Sequence, residues 1–462
     1  MQSGTQVMEN RDYNEHSCRP AIRDYPFWQE RSPLRSVVDD QVLPTQADSV
    51  IVGAGYSGLS VALHLARAGR DVVVLEKDRP GEHASTLNFG ACGRTIRHKF
   101  TKIASDYGLE TAIRIFREAK AWLDYTVDFI DREQIDCGFT QAGRVYGAHT
   151  PEAFTAMARD LEYQQQYMPV DSVMISRLEQ KNEVCSDNFF GVQLLNDVGH
   201  LDPGRYHAGL LQRALDSGVR VYSGCRADAF ECGREGYGVK TNRGRIRAKE
   251  LILCTNAQTL GADPLLKKFR RRLIPVHCWS VVTEPLEDQI IRQALPSERM
   301  QLETILLYTA VRVIDPDRRI LVCAQHLYDH ENVRTAAAAV LDQAAERMPV
   351  LKDVRADYCW YGQFAMTFDW LPHLGTDPTT GIHYLIGLVG TGVPASGYLG
   401  WKLANRILGN SEGETVFADR PFPTRPFYNG NPAWALPAVR EYYRFKDLRA
   451  WKKALEKDPH SR

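Results

Sequence analysis

The chain has 462 residues, 44% hydrophobic and 25% charged, with 57 basic against 57 acidic side chains. Such a length suggests two or three domains with a sizeable core, and zero formal charge gives no reason to expect nucleic acid or an anionic membrane as partner. No apolar run reaches the roughly 18 residues of a membrane span, and the ten cysteines show no zinc-like or C-x-x-C spacing, so no metal is expected.

Residues 1–24 are polar and lack the apolar stretch of a secretory leader. With scattered free thiols, this points to a reducing cytoplasm. Residues 1–47 read as an N-terminal arm, whose Tyr25-Pro26-Phe27-Trp28 is aromatic enough to dock on the body. A βαβ unit follows over 48–77. Its strand enters Gly53-Ala54-Gly55-Tyr56-Ser57-Gly58, a helix-period segment runs to Gly69, and a second β-branched strand ends at Glu76-Lys77.

This is the pattern that cradles a dinucleotide. Gly53 takes the tight turn without a Cβ penalty, Gly55 lets backbone approach a diphosphate, and Gly58 lets helix pack on sheet. The helix N-terminus offers unpaired N–H groups to phosphate. Glu76 stands where a carboxylate accepts ribose hydroxyls and repels a 2′-phosphate. Taken alone the motif serves FAD or NAD.

Downstream, helical periodicity covers 105–134 and 151–167, with Thr150 as N-cap before Pro151. A helix over 205–216 and strands at 219–223 and 251–254 come next. Short strands fill 273–325, broken by the turn Asp315-Pro316-Asp317. A helix over 336–345 has Thr335 as its expected N-cap. A last strand, 382–386, runs into Gly387-Leu388-Val389-Gly390-Thr391-Gly392-Val393-Pro394 and a helix over 397–408. This second strand–glycine–helix junction suits negative charge developing on a flavin, which an NAD enzyme does not need. The basic stretch 440–457 reads as a solvated amphipathic helix in a C-terminal tail, 411–462.

Together these pieces resemble the D-amino-acid-oxidase-like FAD superfamily, above all its gamma-glutamylputrescine oxidase and sarcosine oxidase branch. Ala84-Ser85-Thr86-Leu87-Asn88-Phe89-Gly90 is similar to the A-S-G-R-N-G-G loop of that branch. His200-Leu201-Asp202-Pro203 with Tyr206, Thr255-Asn256-Ala257 and Trp360-Tyr361-Gly362 resemble further family elements, with Thr391 where the family usually has His.

The resemblance implies an α/β and α+β fold: a discontinuous Rossmann-like FAD-binding domain (48–100, 196–262, 370–410) and a mixed-sheet substrate domain (101–195, 263–369). It implies oxidation of a C–N bond in a small amine or amino acid by hydride transfer to the flavin. The imine is then hydrolysed, and oxygen or another acceptor reoxidises the flavin. An NAD-linked dehydrogenase and a non-catalytic flavin-binding relative are the alternatives.

By the same likeness, Gly53, Gly55, Tyr56, Ser57, Gly58, Glu76 and Lys77 hold the ADP half, and the backbone of Ala227, at the end of a strand, meets the adenine. Ser85, Asn88 and Gly90 run along the diphosphate and ribityl chain, and Thr255 and Asn256 form a turn near the cofactor. Gly390, Thr391, Gly392 and Val393 line the pyrimidine edge. Gly362 near the position of the family's flavin-linking Cys implies non-covalent FAD. Gly93-Arg94-Thr95-Ile96-Arg97-His98 resembles S-R-I-I-R-H, which puts Arg94 over the flavin and Arg97 on an acidic group. Trp279, Tyr308, Gln325, His326, Trp360 and Phe364 are candidates for an amine cage. His277 and His373 read as structural.

Overall fold

A computed structural model of the protein describes residues 18–34, 37, 42–233, 236–259, 263–305, 308–324, 332–431 and 436–456. The β-branched run Ser49–Val52 forms the middle of an eight-stranded sheet. There, strands Arg220–Tyr222, Val72–Leu75, Gln46–Val52, Gly244–Leu253 and His383–Ile386 run parallel. Strands Ala227–Gly233 and Gly236–Thr241 extend it as an antiparallel meander, and His373–Thr376 pairs antiparallel with His383–Ile386.

Successive residues of a strand face opposite sides, and here both sides are covered. Ile51, Val74 and Ile252 join the cluster that includes helices Tyr56–Arg67, Leu109–Arg132, Pro203–Asp216 and Gly392–Leu408, while Val50, Val73 and Leu251 pack with Leu266 and Phe269. This two-sided burial explains why the strands read as continuous apolar runs. Small residues let two of the helices meet closely: Ser60 Oγ donates to Gly397 O at 2.7 Å, and a Cβ on Gly400 would lie 2.7 Å from Ser60 Cβ.

The second sheet has nine strands in the order Cys18–Arg23, Ala356–Thr367, Leu273–Thr283, Arg319–Ala324, Thr309–Ile314, Met300–Glu303, Arg144–Gly147, Val192–Leu195, Ser172–Ile175. It is mixed: the first pair and the pair 300–303 with 144–147 are parallel. Helix Val333–Arg347 covers one face through Ala336, Val340 and Ala344.

The aromatic arm docks as expected. Phe27 and Trp28 are buried against Tyr358 and Trp360, and residues 18–23 add an edge strand that the sequence did not announce.

Four expectations need correction. The helix expected over 105–134 is two helices, Phe100–Tyr107 and Leu109–Arg132, because Gly108 between them takes φ +88. The helix expected from 205 begins at Pro203, since Asp202 Oδ1 accepts from Gly204 N at 2.9 Å and Arg205 N at 3.1 Å. Asn332, not Thr335, caps helix Val333–Arg347, accepting the Thr335 N–H at 2.8 Å. The C-terminal helix Leu436–Glu456 is not wholly solvated: Tyr442 and Phe445 are exposed, but Trp451 is buried against His149 and Arg347. Thr150 caps Pro151–Gln165 as expected.

Candidate active site

The first glycine run turns where its chemistry requires. Gly53 has φ +106, and a Cβ there would sit 2.9 Å from Cys254 O. A Cβ on Gly58 would lie 1.9 Å from Gly53 O, so only glycine lets the helix start this close to the strand. The first turn of Tyr56–Arg67 holds no acidic side chain, which leaves its positive end free for an anion. The Glu76 carboxylate is buried and accepts the N–H groups of Ala54 at 2.8 Å and Asp78 at 3.1 Å.

Beside this turn, Ser85 Oγ accepts the Tyr56 N–H at 3.0 Å. Asn88 braces its own loop, donating to Ala84 O and Ser85 O at 2.9 Å each and accepting from Gly90 N at 2.8 Å. Lys77 Nζ donates to Gln258 Oε1 at 3.1 Å, and Gln258 in turn donates to Gln363 on the nine-stranded sheet.

These elements open onto one cavity of about 700 Å³, lined by residues of both sheets. At one end lie Gly53, Gly55, Tyr56, Ser57, Glu76, Lys77 and Ala227; along its length lie Ser85, Asn88, Gly90, Thr255 and Asn256. At the far end stand Gly390, Gly392, Val393, Arg97, Tyr308 and Phe364. Gly390 has φ +76, and a Cβ there would be 2.4 Å from an Arg97 Nη, so this glycine admits the guanidinium. Arg97 Nε donates to Val389 O at 3.1 Å, and its guanidinium lies 5.7 Å from the Tyr308 ring. Burial pushes the Tyr308 hydroxyl up to about 12, so it stays a neutral hydrogen-bonding group there. A second cavity of about 100 Å³ adjoins this end and is lined by Thr391, Arg97, Tyr308, Arg144 and Thr95.

Residues 48–406 match the family described as FAD dependent oxidoreductase, DAO. The chain belongs to that family. It is 29% identical over 404 residues to gamma-glutamylputrescine oxidoreductase of Escherichia coli (strain K12), covering 87% of this chain and 92% of that protein. Among solved structures it is similar to glycine oxidase from Geobacillus kaustophilus, with TM-score 0.67, 19% identity, and 83% and 99% of the two chains covered. It is also similar to L-proline dehydrogenase from P. horikoshii, with TM-score 0.64, 20% identity, and 85% and 99% covered. At these identities the two structures speak for the fold.

FAD is the cofactor of this oxidoreductase family, so the nicotinamide alternative gives way. The residues present fit FAD: two helix N-termini free of acidic side chains, at Tyr56 and Gly392, line one cavity. The buried Glu76 carboxylate at the tip of the second strand suits a ribose.

The structure sorts the sequence-derived candidates. The cofactor candidates converge on the cavity, with three refinements. Gly58 lies behind it, holding helix to strand. Thr391 borders the smaller cavity, its hydroxyl turned to Leu388 O at 3.0 Å. Ala227 begins its strand rather than ending one.

Of the orienting and cage candidates among the described residues, Arg97, Tyr308 and Phe364 line the main cavity. Arg94 is withdrawn from it by Asp197, whose Oδ1 accepts from Nε at 3.0 Å. His98 stacks on Trp370, 5.6 Å between centroids. Trp360 is buried and donates to Leu87 O at 3.1 Å, so it braces the flavin loop from behind. Trp279 also lies outside both cavities, while Gln325 and His326 lie outside the described residues. His373 is buried with Nε2 on the Asp369 carboxylate at 3.0 Å, and His277 meets Gln363. Sequence reasoning missed Phe89, Gln258, Gln363 and Arg144. The last had one signal: a charged residue opening a short strand, Arg144–Gly147, whose alternate positions Val145 and Gly147 are buried.

Proposed function

We propose that the protein oxidises the C–N bond of a small amine or amino acid. The observation that carries this reading is one cavity lined both by the Gly53–Glu76 cradle and by Arg97, Tyr308 and Phe364. Bound FAD supplies the two-electron acceptor. The chain's own residues then have only to bind, orient and exclude water. Phe364 and Tyr308 give the amine an aromatic wall, and Arg97, with no acidic partner among the described residues, orients an acidic group on the substrate. The similar E. coli protein is, by its name, an oxidoreductase of gamma-glutamylputrescine, an amine.

In this reading the FAD domain comprises 48–100, 196–262 and 370–410, and the substrate domain 101–195 and 263–369. FAD is held non-covalently, oxygen or another acceptor reoxidises it, and the enzyme works in the cytoplasm. The test is anaerobic mixing of the yellow holoprotein with a panel of amines and amino acids. Bleaching of the flavin band by some of them is expected; a band that none of them bleaches would sink the reading.

A further inference from the structure

The far end of the cavity carries more positive charge than one acidic group would balance. Arg97 and Arg144 both border the smaller cavity, and both are partly exposed. Arg144 projects from strand Arg144–Gly147, on the same side as Tyr146, whose ring lies 5.7 Å from its guanidinium. Its Nη1 donates to Thr95 Oγ1 at 2.7 Å, and its buried Nε has no hydrogen-bond partner.

The nearby charges come from three elements. Arg94 and Arg97 sit on the segment after the flavin loop, and Asp197 follows strand Val192–Leu195. Asp197 is engaged by Arg94. Glu303, nearer Tyr146, is held by His149 and Arg347. Among the described residues, then, neither Arg97 nor Arg144 has an acidic partner. Burial, with Arg94 and Arg97 alongside, pulls the Arg144 guanidinium down to about 10, as expected of a cation short of compensation. Two half-buried guanidiniums with no acidic partner among the described residues suit a ligand that brings the opposite charge.

The two cavities share Arg97 and Tyr308, but Arg144 borders only the smaller one. We infer that the smaller cavity is an acidic-group subsite, and that the substrate is an amine bearing two carboxylates, one oriented by Arg97 and the other reaching past it to Arg144. The volume of about 100 Å³ suits a short carboxymethyl-like arm. This deepens the amine-oxidising reading and rests on it for the substrate's C–N bond, though not for the binding of the acid groups.

The test uses holoprotein at low ionic strength and two ether analogues with no C–N bond to oxidise: methoxyacetate, with one carboxylate, and oxydiacetate, with two. Binding is followed by calorimetry and by the shift of the flavin band. Oxydiacetate is expected to bind on the order of 50-fold tighter, the scale of one added charged hydrogen-bonded pair, and Arg144→Gln should bring the ratio to within about threefold. A wild-type ratio near one overturns the subsite, and that measurement needs no variant to fold. Selectivity that survives Arg144→Gln overturns it too. Equal bleaching of the flavin by a neutral amine and its diacid counterpart removes the subsite but leaves amine oxidation standing. Selective oxydiacetate binding in a protein whose flavin no amine bleaches supports the subsite and sinks amine oxidation.

Discussion

Replacing Gly58 by Ala isolates what the first glycine turn contributes. The new Cβ would lie 1.9 Å from Gly53 O and 3.1 Å from Gly53 C, both backbone atoms that no rotamer change can move. Relief to an ordinary contact therefore demands that the start of helix Tyr56–Arg67 move out by more than about 1 Å, against the tight seam at Ser60 and Gly400. Overpacking of this kind costs about 1–3 kcal/mol, and the upper end applies because neither partner is flexible. The same displacement takes the helix N-terminus away from the diphosphate. A loss of about 3 kcal/mol there is roughly 150-fold in FAD affinity. The assay is titration of apoprotein with FAD by flavin fluorescence, alongside thermal unfolding. Gly69→Ala is the control: its φ is +82 and nothing lies within 4 Å of a Cβ, so only backbone strain of about 1 kcal/mol is added, far from the cavity. A Gly58→Ala protein that binds FAD within about threefold of wild type and melts at the same temperature would refute the packing argument.

Three further outcomes are expected. Arg97→Ala should lower kcat/KM for acid-bearing substrates by about 2–4 kcal/mol in transition-state binding and leave neutral amines nearly untouched; equal losses on both would contradict its role. Acid precipitation should release all the flavin into the supernatant, and yellow colour remaining with the pellet would show a covalent link. His200 and His207 are pulled down by burial to about 3 and about 4, His200 also by Arg312. Unfolded, they titrate near 6.5, so the unfolded chain binds the extra protons. Stability is full above about pH 6.5 and falls as pH drops toward 4, by up to about 1.4 kcal/mol per group per unit. A melting temperature flat from pH 7 to pH 5 would contradict this.

What the sequence determined by itself is local. Gly53, Gly55, Gly58 and Glu76 follow one another within a single βαβ unit, so spacing and side-chain type were enough to read the strand–turn–helix proposed to hold the ADP half, and the Gly387–Gly392 turn announced a second helix N-terminus in the same way. Capping at Thr150 and the aromatic arm at Phe27 and Trp28 were legible for similar reasons. Arg94 and Arg97 are three positions apart and look alike in sequence. Only tertiary structure separates them, because Asp197, over a hundred residues away, takes one and leaves the other to the cavity. Trp360 likewise looked like a cage wall until packing on Trp28 turned it to the back of the flavin loop. Arg144 gained meaning only when the nine-stranded sheet set its strand beside Met300–Glu303 and the pair of cavities. A charge's role depends on which opposite charges the fold brings within a few ångströms, and that pairing has no fixed spacing along a chain.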